Sequence, residues 1–141
     1  MSRVFLPLQL STPDGLPKII NVASSGALTA RPGSDSYHSS KLVILRWTET
    51  LQLEYGDQGL LAFCVNLGAI KTKITEAAPN EVRNRFLDRL EVAGDTIAWL
   101  GAERREWLAG RYMSCTWDME ELSRKNEENV GEDKLKMRMA F

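Results

Sequence analysis

Two short apolar segments separated by an amphipathic one dominate the pattern of the chain. Residues 18–23 and 60–65 are almost continuously apolar and follow turn-forming residues, which is typical of buried parallel strands. From about residue 36 to residue 55, apolar side chains recur every three or four positions, which indicates a helix with one buried face. That buried stripe comprises Ile44, Trp47, Leu51 and Tyr55. The order strand, helix, strand predicts a βαβ unit with parallel strands.

Further helices are predicted on both sides of this unit. Residues 4–10 resemble the end of a helix disturbed by Pro7. Residues 79–90 predict a helix with Pro79 in its first turn, and its inward positions are Val82, Phe86, Leu87 and Leu90. A second helix is predicted from Asp95, as its N-cap, towards Leu108.

The last part of the chain changes character. Residues 111–117 alternate loosely between apolar and polar and are predicted as a third strand. Residues 118–141 are dense in mixed charge, which predicts a solvated helix and a mobile tail. The chain is therefore divided into one domain over 1–117 and a charged C-terminal segment over 118–141.

Composition and charge exclude several classes of function. The net charge is −1 at pH 7, so nothing favours nucleic acid or an acidic membrane surface as a partner. No segment reaches the roughly 18 consecutive apolar residues of a membrane span. Cys64 and Cys115 lie inside apolar runs and are expected to be buried free thiols, which favours a reducing, cytoplasmic location. His38 is the single histidine, so no metal site is expected.

Three residues suggest acid/base chemistry. Tyr37 and Lys41 are four positions apart near the start of the predicted long helix, so they share one face, a turn apart. A lysine ammonium beside a phenol favours the phenolate form, and a tyrosine tuned in this way can give a proton to an oxygen or take one from it. Ser24 stands where the first strand ends, at the edge of a parallel sheet where ligands bind. Its hydroxyl can hold the same oxygen by a hydrogen bond.

Three stretches together resemble the short-chain dehydrogenase/reductase family, and the region through Trp117-Asp118 and Leu122 is most like its fungal members. The three stretches are Ile20–Gly26 (Ile-Asn-Val-Ala-Ser-Ser-Gly), Tyr37–Lys41 (Tyr-His-Ser-Ser-Lys) and Val65–Thr72 (Val-Asn-Leu-Gly-Ala-Ile-Lys-Thr). The resemblance implies an α/β fold, a partial doubly wound, Rossmann-like parallel sheet containing the last three strands of the family fold with flanking helices. It also implies an oxidoreductase that transfers hydride between NAD or NADP and a carbonyl or alcohol.

The resemblance assigns roles to individual residues. Tyr37 matches the catalytic acid/base, and Lys41 matches the residue that tunes it and binds the nicotinamide ribose. Ser24, with Ser25 as the alternative, matches the serine that orients the substrate oxygen. In the loop after the second strand, Gly68, Ile70 and Thr72 match positions that bind the cofactor. The substrate is expected to be a small carbonyl or alcohol, and Val82, Phe86 and Leu87 suggest an apolar one.

The chain also departs from the family pattern. Leu67 replaces the usual proline, and no Gly-x-x-x-Gly-x-Gly turn is present to receive the cofactor pyrophosphate. Three hypotheses therefore stay open. The chain is a truncated family oxidoreductase, inactive alone for want of the phosphate-binding half; or a redox-neutral acid/base enzyme such as an isomerase or dehydratase; or a non-catalytic remnant that binds a partner. A homo-oligomer is expected through the 36–55 helix or an exposed sheet edge.

Overall fold

A three-stranded parallel sheet with helices on both faces forms the fold. The computed structural model describes residues 2–12, 15–76 and 80–140. The strands are β1 (Lys18–Val22), β2 (Leu61–Asn66) and β3 (Tyr112–Ser114). The helices are α1 (Ser2–Ser11), α2 (Asp35–Tyr55), α3 (Lys73–Glu76), α4 (Asn80–Arg83), α5 (Leu90–Ala102), α6 (Met119–Arg124) and α7 (Asn126–Gly131), with 3₁₀ turns at Ser25–Leu28, Gly56–Gln58 and Glu106–Leu108.

The sheet has the order β1-β2-β3, so the central strand is β2. Val22 is the partner of Val65 in the first parallel pair, and Val65 is the partner of Met113 in the second. The βαβ unit predicted from the apolar pattern is therefore confirmed, with α2 as its crossover helix. Since all three strands run the same way, their carboxyl ends meet at one edge of the sheet.

The alternating side chains of β2 supply both faces of the core. Leu61, Phe63 and Val65 belong to a cluster with side chains of α5 and β3, whereas Cys64 packs with Leu45 of α2. Every residue from Leu61 to Val65 is buried, as expected for a strand covered on both faces. Cys64 and Cys115 are free and buried, which confirms the prediction for the thiols.

The region between β2 and β3 differs from its prediction. The helix predicted over 79–90 is short, since α4 ends at Arg83; Pro79 and the side chain of Val82 lie outside what the structure describes. Leu87 and Leu90, predicted to point inward, are 76% and 67% exposed. Residues 84–89 form a turn and an irregular loop rather than a helix. In this loop the Asp88 backbone N–H donates to the Ala69 carbonyl. Accordingly α5 begins at Leu90 and not after Asp95.

The C-terminal segment packs on the sheet instead of forming the mobile tail expected from its charge. The backbone N–H of Tyr112 donates to the Leu135 carbonyl at 2.8 Å, which occupies the outer edge of β3. Arg138 pairs with Glu49 of α2 at 2.6 Å. Two short helices, α6 and α7, precede these contacts where a single solvated helix was predicted. None of the described helices is both long and apolar enough to cross a membrane.

Glu49 makes the stability of this packing dependent on pH. Its side chain is 8% exposed. Burial alone would raise its pKa, but the guanidinium groups of Arg138 and Arg46 more than offset burial and hold the pKa of Glu49 below its usual value. A lowered folded-state pKa contributes stability that is complete above the unfolded value and is lost as the pH falls through the folded one.

We expect Glu49→Gln to cost about 1–3 kcal/mol of unfolding free energy at pH 7, because the arginines lose their buried charge partner. The difference from the wild type should shrink between about pH 5 and pH 3. Urea unfolding across this range measures both effects. Glu54→Gln, on the exposed side of the same helix, is the control and should stay within about 0.5 kcal/mol. A difference that does not change with pH would contradict the assignment.

Candidate active site at the carboxyl edge of the sheet

The end of β1 presents Ser24 at the carboxyl edge of the sheet. The strand alignment continues one residue further, since the Ala23 backbone N–H donates to the Val65 carbonyl at 2.8 Å. Ser24 then caps the 3₁₀ turn, and its Oγ accepts the backbone N–H of Gly26 at 3.1 Å. This contact fixes the oxygen of the hydroxyl. Within the described part of the chain, no protein group receives the proton of that hydroxyl in return.

Tyr37 and Lys41 lie one turn apart at the start of α2. The Lys41 Nζ is 5.8 Å from the centroid of the Tyr37 ring. The same ammonium donates to the carbonyl of Val22, the last residue of β1, at 3.1 Å. Tyr37 is 51% exposed, so its hydroxyl is accessible to a ligand. The helix thus places a half-exposed phenol and an anchored ammonium beside the end of β1.

Tyr112, which is buried, shows why the exposure of Tyr37 matters. Burial raises the pKa of Tyr112 to about 12, which removes it from proton exchange near neutral pH. Burial likewise raises the pKa of the Cys64 thiol to about 11, so that thiol is a poor nucleophile. Among the described residues, no group of three His, Cys, Asp or Glu side chains could hold a metal ion. The carboxyl edge of β1 is therefore the best candidate for acid/base chemistry.

Gly26 joins the serine turn to the tyrosine. A Cβ on Gly26 would lie 2.9 Å from His38 Cδ2 and 3.1 Å from Tyr37 Cε1, closer than carbon atoms pack. The absence of a side chain thus lets the turn that carries Ser24 rest directly on the two aromatic rings. Gly26 was not predicted as a site residue, although a glycine immediately after a strand-ending Ser-Ser pair is a visible signal.

We expect Gly26→Ala to destabilise the fold by about 1–3 kcal/mol, because the added methyl group must displace Tyr37 or His38. Gly94→Ala is a matched control in the interior of α5, where a Cβ would meet nothing within 4 Å. That control should gain about 0.5–1 kcal/mol from helix propensity. Urea unfolding of both variants gives the comparison, and equal effects of one sign would show that the Gly26 contact is not tight.

The loop after β2 leaves the same edge of the sheet. Gly68 has a φ of +99°, a conformation suited to glycine. A Cβ there would lie 2.7 Å from Asp88 Oδ2, so the space opened by this glycine is filled by a carboxylate. The Ala69 backbone N–H donates to that carboxylate at 2.5 Å. Asp88 was missed by the sequence analysis, which had no local signal for a contact between residues 19 positions apart.

The predicted site residues fall into two groups. Ser24, Tyr37 and Lys41 are brought together through Gly26 and Val22. Gly68, Ile70 and Thr72 lie on the neighbouring loop, and among the described residues the hydrogen bonds of Gly68 and Thr72 go to Asn66 and Thr75 rather than to Tyr37. Ile70 is half-buried against the core. Thr72 is exposed, and its backbone N–H donates a hydrogen bond to the Thr75 hydroxyl at 2.9 Å.

Comparison with known proteins identifies the family of the chain. Residues 1–83 match the family model for short chain dehydrogenases. The whole chain is 41% identical to the short chain dehydrogenase mpl6 of Monascus purpureus and covers 48% of that protein. It is 38% identical over 98% of its length to the short chain dehydrogenase andI of Emericella variicolor, of which it covers 47%. The chain therefore spans about half the length of the curated relatives it matches.

Solved structures share the fold. A short chain dehydrogenase from Salmonella enterica serovar Typhi superposes with a TM-score of 0.70 at 22% identity, over 82% of this chain and 47% of that one. ElxO, solved with NADP bound, gives a TM-score of 0.66 at 22% identity, over 81% and 50% of the two chains. The three parallel strands and flanking helices are thus those of a Rossmann-like sheet.

Proposed function

Because the chain belongs to the short-chain dehydrogenase family, we propose that it carries the acid/base centre of an NAD(P)-dependent oxidoreductase acting on a small carbonyl or alcohol. The observation that carries the proposal is the position of Lys41, whose Nζ lies 5.8 Å from the Tyr37 ring and is anchored on the Val22 carbonyl. This contact holds the ammonium charge near the phenol, and Ser24 follows Val22 by two residues along the chain.

The side chains have complementary parts in the proposed reaction. In carbonyl reduction, the Tyr37 hydroxyl donates its proton to the substrate oxygen, and in alcohol oxidation the phenolate takes it back. Lys41 holds a positive charge 5.8 Å from the centroid of the Tyr37 ring. Ser24 donates a hydrogen bond to the same oxygen. Its Oγ already accepts a hydrogen bond from the Gly26 N–H, and its hydroxyl proton is left to donate to a ligand. A bound nicotinamide would supply or accept the hydride.

The residues present fit the nicotinamide end of such a cofactor. The accessible Tyr37 hydroxyl and the Lys41 ammonium can bond the hydroxyls of a ribose. We propose that Gly68, Ile70 and Thr72 bind the carboxamide side, since their loop leaves the sheet beside β1. Both NADH and NADP occur in the solved structures that share the fold, and we propose either as the cofactor. The glycine-rich turn that would receive the pyrophosphate is not in this sequence, so binding to this chain alone should be weak.

The proposed function is tested by joining the chain to the part of the Monascus purpureus relative that it does not match. The joined protein should consume NADPH or NADH, followed by absorbance, with carbonyl substrates. The chain alone should bind either cofactor with a Kd above about 100 μM. If the joined protein folds and binds the cofactor but reduces no carbonyl in a broad panel, the oxidoreductase proposal is wrong. Turnover of substrate without any cofactor would instead favour a redox-neutral isomerase or dehydratase.

Self-association is proposed on a separate observation. Leu42, Val43 and Leu53 of α2 are 41%, 64% and 76% exposed, and within the described sheet β1 is paired on one side only. Apolar helix faces and free strand edges both favour pairing with another chain. We propose a homo-oligomer or a partner complex through one of these surfaces, and sedimentation of the purified chain tests it. A cytoplasmic location is proposed from the two free buried thiols.

A further inference from the structure

A polar cavity lies in the segment that connects β2 to α5, residues 67–89. Two hydrogen bonds between Ala69 and Asp88 hold the two ends of this segment together. The Ala69 N–H donates to the Asp88 carboxylate, and the Asp88 N–H donates to the Ala69 carbonyl. The cavity has a volume of about 390 Å³ and opens between α3 and α4. It is lined on one side by residues from Lys71 to Glu76 and on the other by residues from Asn80 to Asn84.

The charges around this cavity are predominantly positive. Lys71, Lys73 and Arg83 line it against the single carboxylate of Glu76, which gives three cations, one anion and a net charge of +2. None of these three cations forms an ion pair with a carboxylate in the described part of the chain. Arg46, Arg111 and Arg138 do form ion pairs, whereas Arg31 and Arg124 form none among the described residues. The feature that sets Lys71, Lys73 and Arg83 apart is therefore that all three line one cavity. An unpaired group of cations around a cavity attracts an anion.

The neutral groups of the lining suit the same kind of ligand. Asn80 and Asn84 add side-chain amide donors to the two lysines and the arginine. A guanidinium and amides together favour oxygen atoms that carry negative charge, as in a carboxylate or a phosphate. Phe86 and Leu87, from which an apolar substrate is predicted, are not among the residues that line this cavity. The described lining of the cavity is thus cationic, and the apolar substrate stays a prediction.

We propose that this cavity binds an oxyanion, a carboxylate or phosphate group, through Lys71, Lys73 and Arg83. The inference rests on the proposed function in one respect: the oxyanion then belongs to a substrate whose carbonyl reaches Tyr37, or to the cofactor phosphates. Lys71 directly follows Ile70 in the loop that leaves the carboxyl edge of the sheet. An acidic carbonyl compound is thereby selected over its neutral counterpart by charge.

The test uses the chain itself and needs no turnover. ¹⁵N-labelled chain is titrated at constant ionic strength with acetoacetate, with its methyl ester and with inorganic pyrophosphate, and the amide signals of Thr72 and Asn84 are followed. We expect saturable shifts with an anion and none with the ester. Saturation by acetoacetate assigns the oxyanion to the substrate, whereas saturation by pyrophosphate alone assigns it to the cofactor.

Charge-removal variants decide whether the cavity is responsible. The triple variant Lys71→Gln, Lys73→Gln, Arg83→Gln should bind the anion at least about tenfold more weakly. Arg124→Gln removes one exposed cation from α6 and should leave binding unchanged. Equal binding by the triple variant and the wild type, or absence of saturation by every anion, overturns the proposal. Either result leaves the Tyr37-dependent reaction of the joined protein unaffected, so the two proposals fail separately.

Discussion

Turnover by the joined protein should fall by about 10²–10⁴-fold when Tyr37 is replaced by phenylalanine. The substitution removes one hydroxyl and keeps the ring, whose Cε1 lies against Gly26. The turn that carries Ser24 and the anchor of Lys41 on Val22 should therefore persist, and the loss should appear in kcat. A steady-state assay over a range of substrate concentrations separates kcat from KM.

Tyr55→Phe is the matched control, since it removes the same atom from the other end of α2. It should leave turnover within about twofold and stability within about 0.5 kcal/mol. Tyr37→Phe should also retain cofactor affinity within about tenfold, because Lys41 remains in place. If Tyr37→Phe turns over like Tyr55→Phe, proton transfer does not pass through Tyr37 and the proposed mechanism fails.

The elements that sequence analysis predicted well are those decided by local pattern. The alternation of apolar runs and one long amphipathic stretch yielded β1, α2 and β2 to within one or two residues. β2 is buried on both faces, so its apolar run reports burial directly, whereas β1 at the edge of the sheet is half-buried and its Val22 is 43% exposed. The spacing of Tyr37 and Lys41 likewise needs only a helix to bring them onto one face. For this reason the Tyr-Lys pair could be predicted together with the helix that carries it.

The segments predicted poorly depend on contacts between distant residues. The helix expected over 79–90 gives way to a loop because Asp88 bonds Ala69, 19 positions earlier. The mixed charges after residue 118 suggested solvation, yet Arg138 reaches Glu49, 89 positions away. Charge density alone does not distinguish a solvated residue from one whose partner lies on another element. A periodicity argument therefore fails wherever a single long-range hydrogen bond determines the backbone path.

The candidate site also has a part that local pattern predicts and a part that depends on contacts between distant residues. Ser24, Tyr37 and Lys41 could be named from motifs, but the contact that joins them could not. It depends on Gly26 lying within van der Waals distance of two rings, which requires the turn and the helix to be packed already. Gly68 matches a position that binds the cofactor, but the space where its Cβ would lie is occupied by the Asp88 carboxylate. Residue types indicate the chemistry, and only the packed fold shows what surrounds it.

The stability of the central strand connects the two loops of the site. Phe63 of β2 is fully buried and packs in one cluster with Leu100, Leu108 and Met113. Phe63→Ala should lower the unfolding free energy by about 3–5 kcal/mol, because it removes buried apolar surface and leaves a cavity. This loss is a large share of the roughly 5–15 kcal/mol that holds a typical domain folded. Urea unfolding followed by tryptophan fluorescence measures it.

Leu53→Ala is the control for this prediction, since Leu53 is 76% exposed on α2. Its cost should stay within about 0.5 kcal/mol. A large cost confined to Phe63 would mean that the packing around β2 contributes strongly to the stability of the sheet. Equal small costs would contradict this, because the sheet would then not be the element that the chain folds around. Ser24 and the loop of Gly68 are attached to adjacent strands, so in that case their shared edge would not be maintained either.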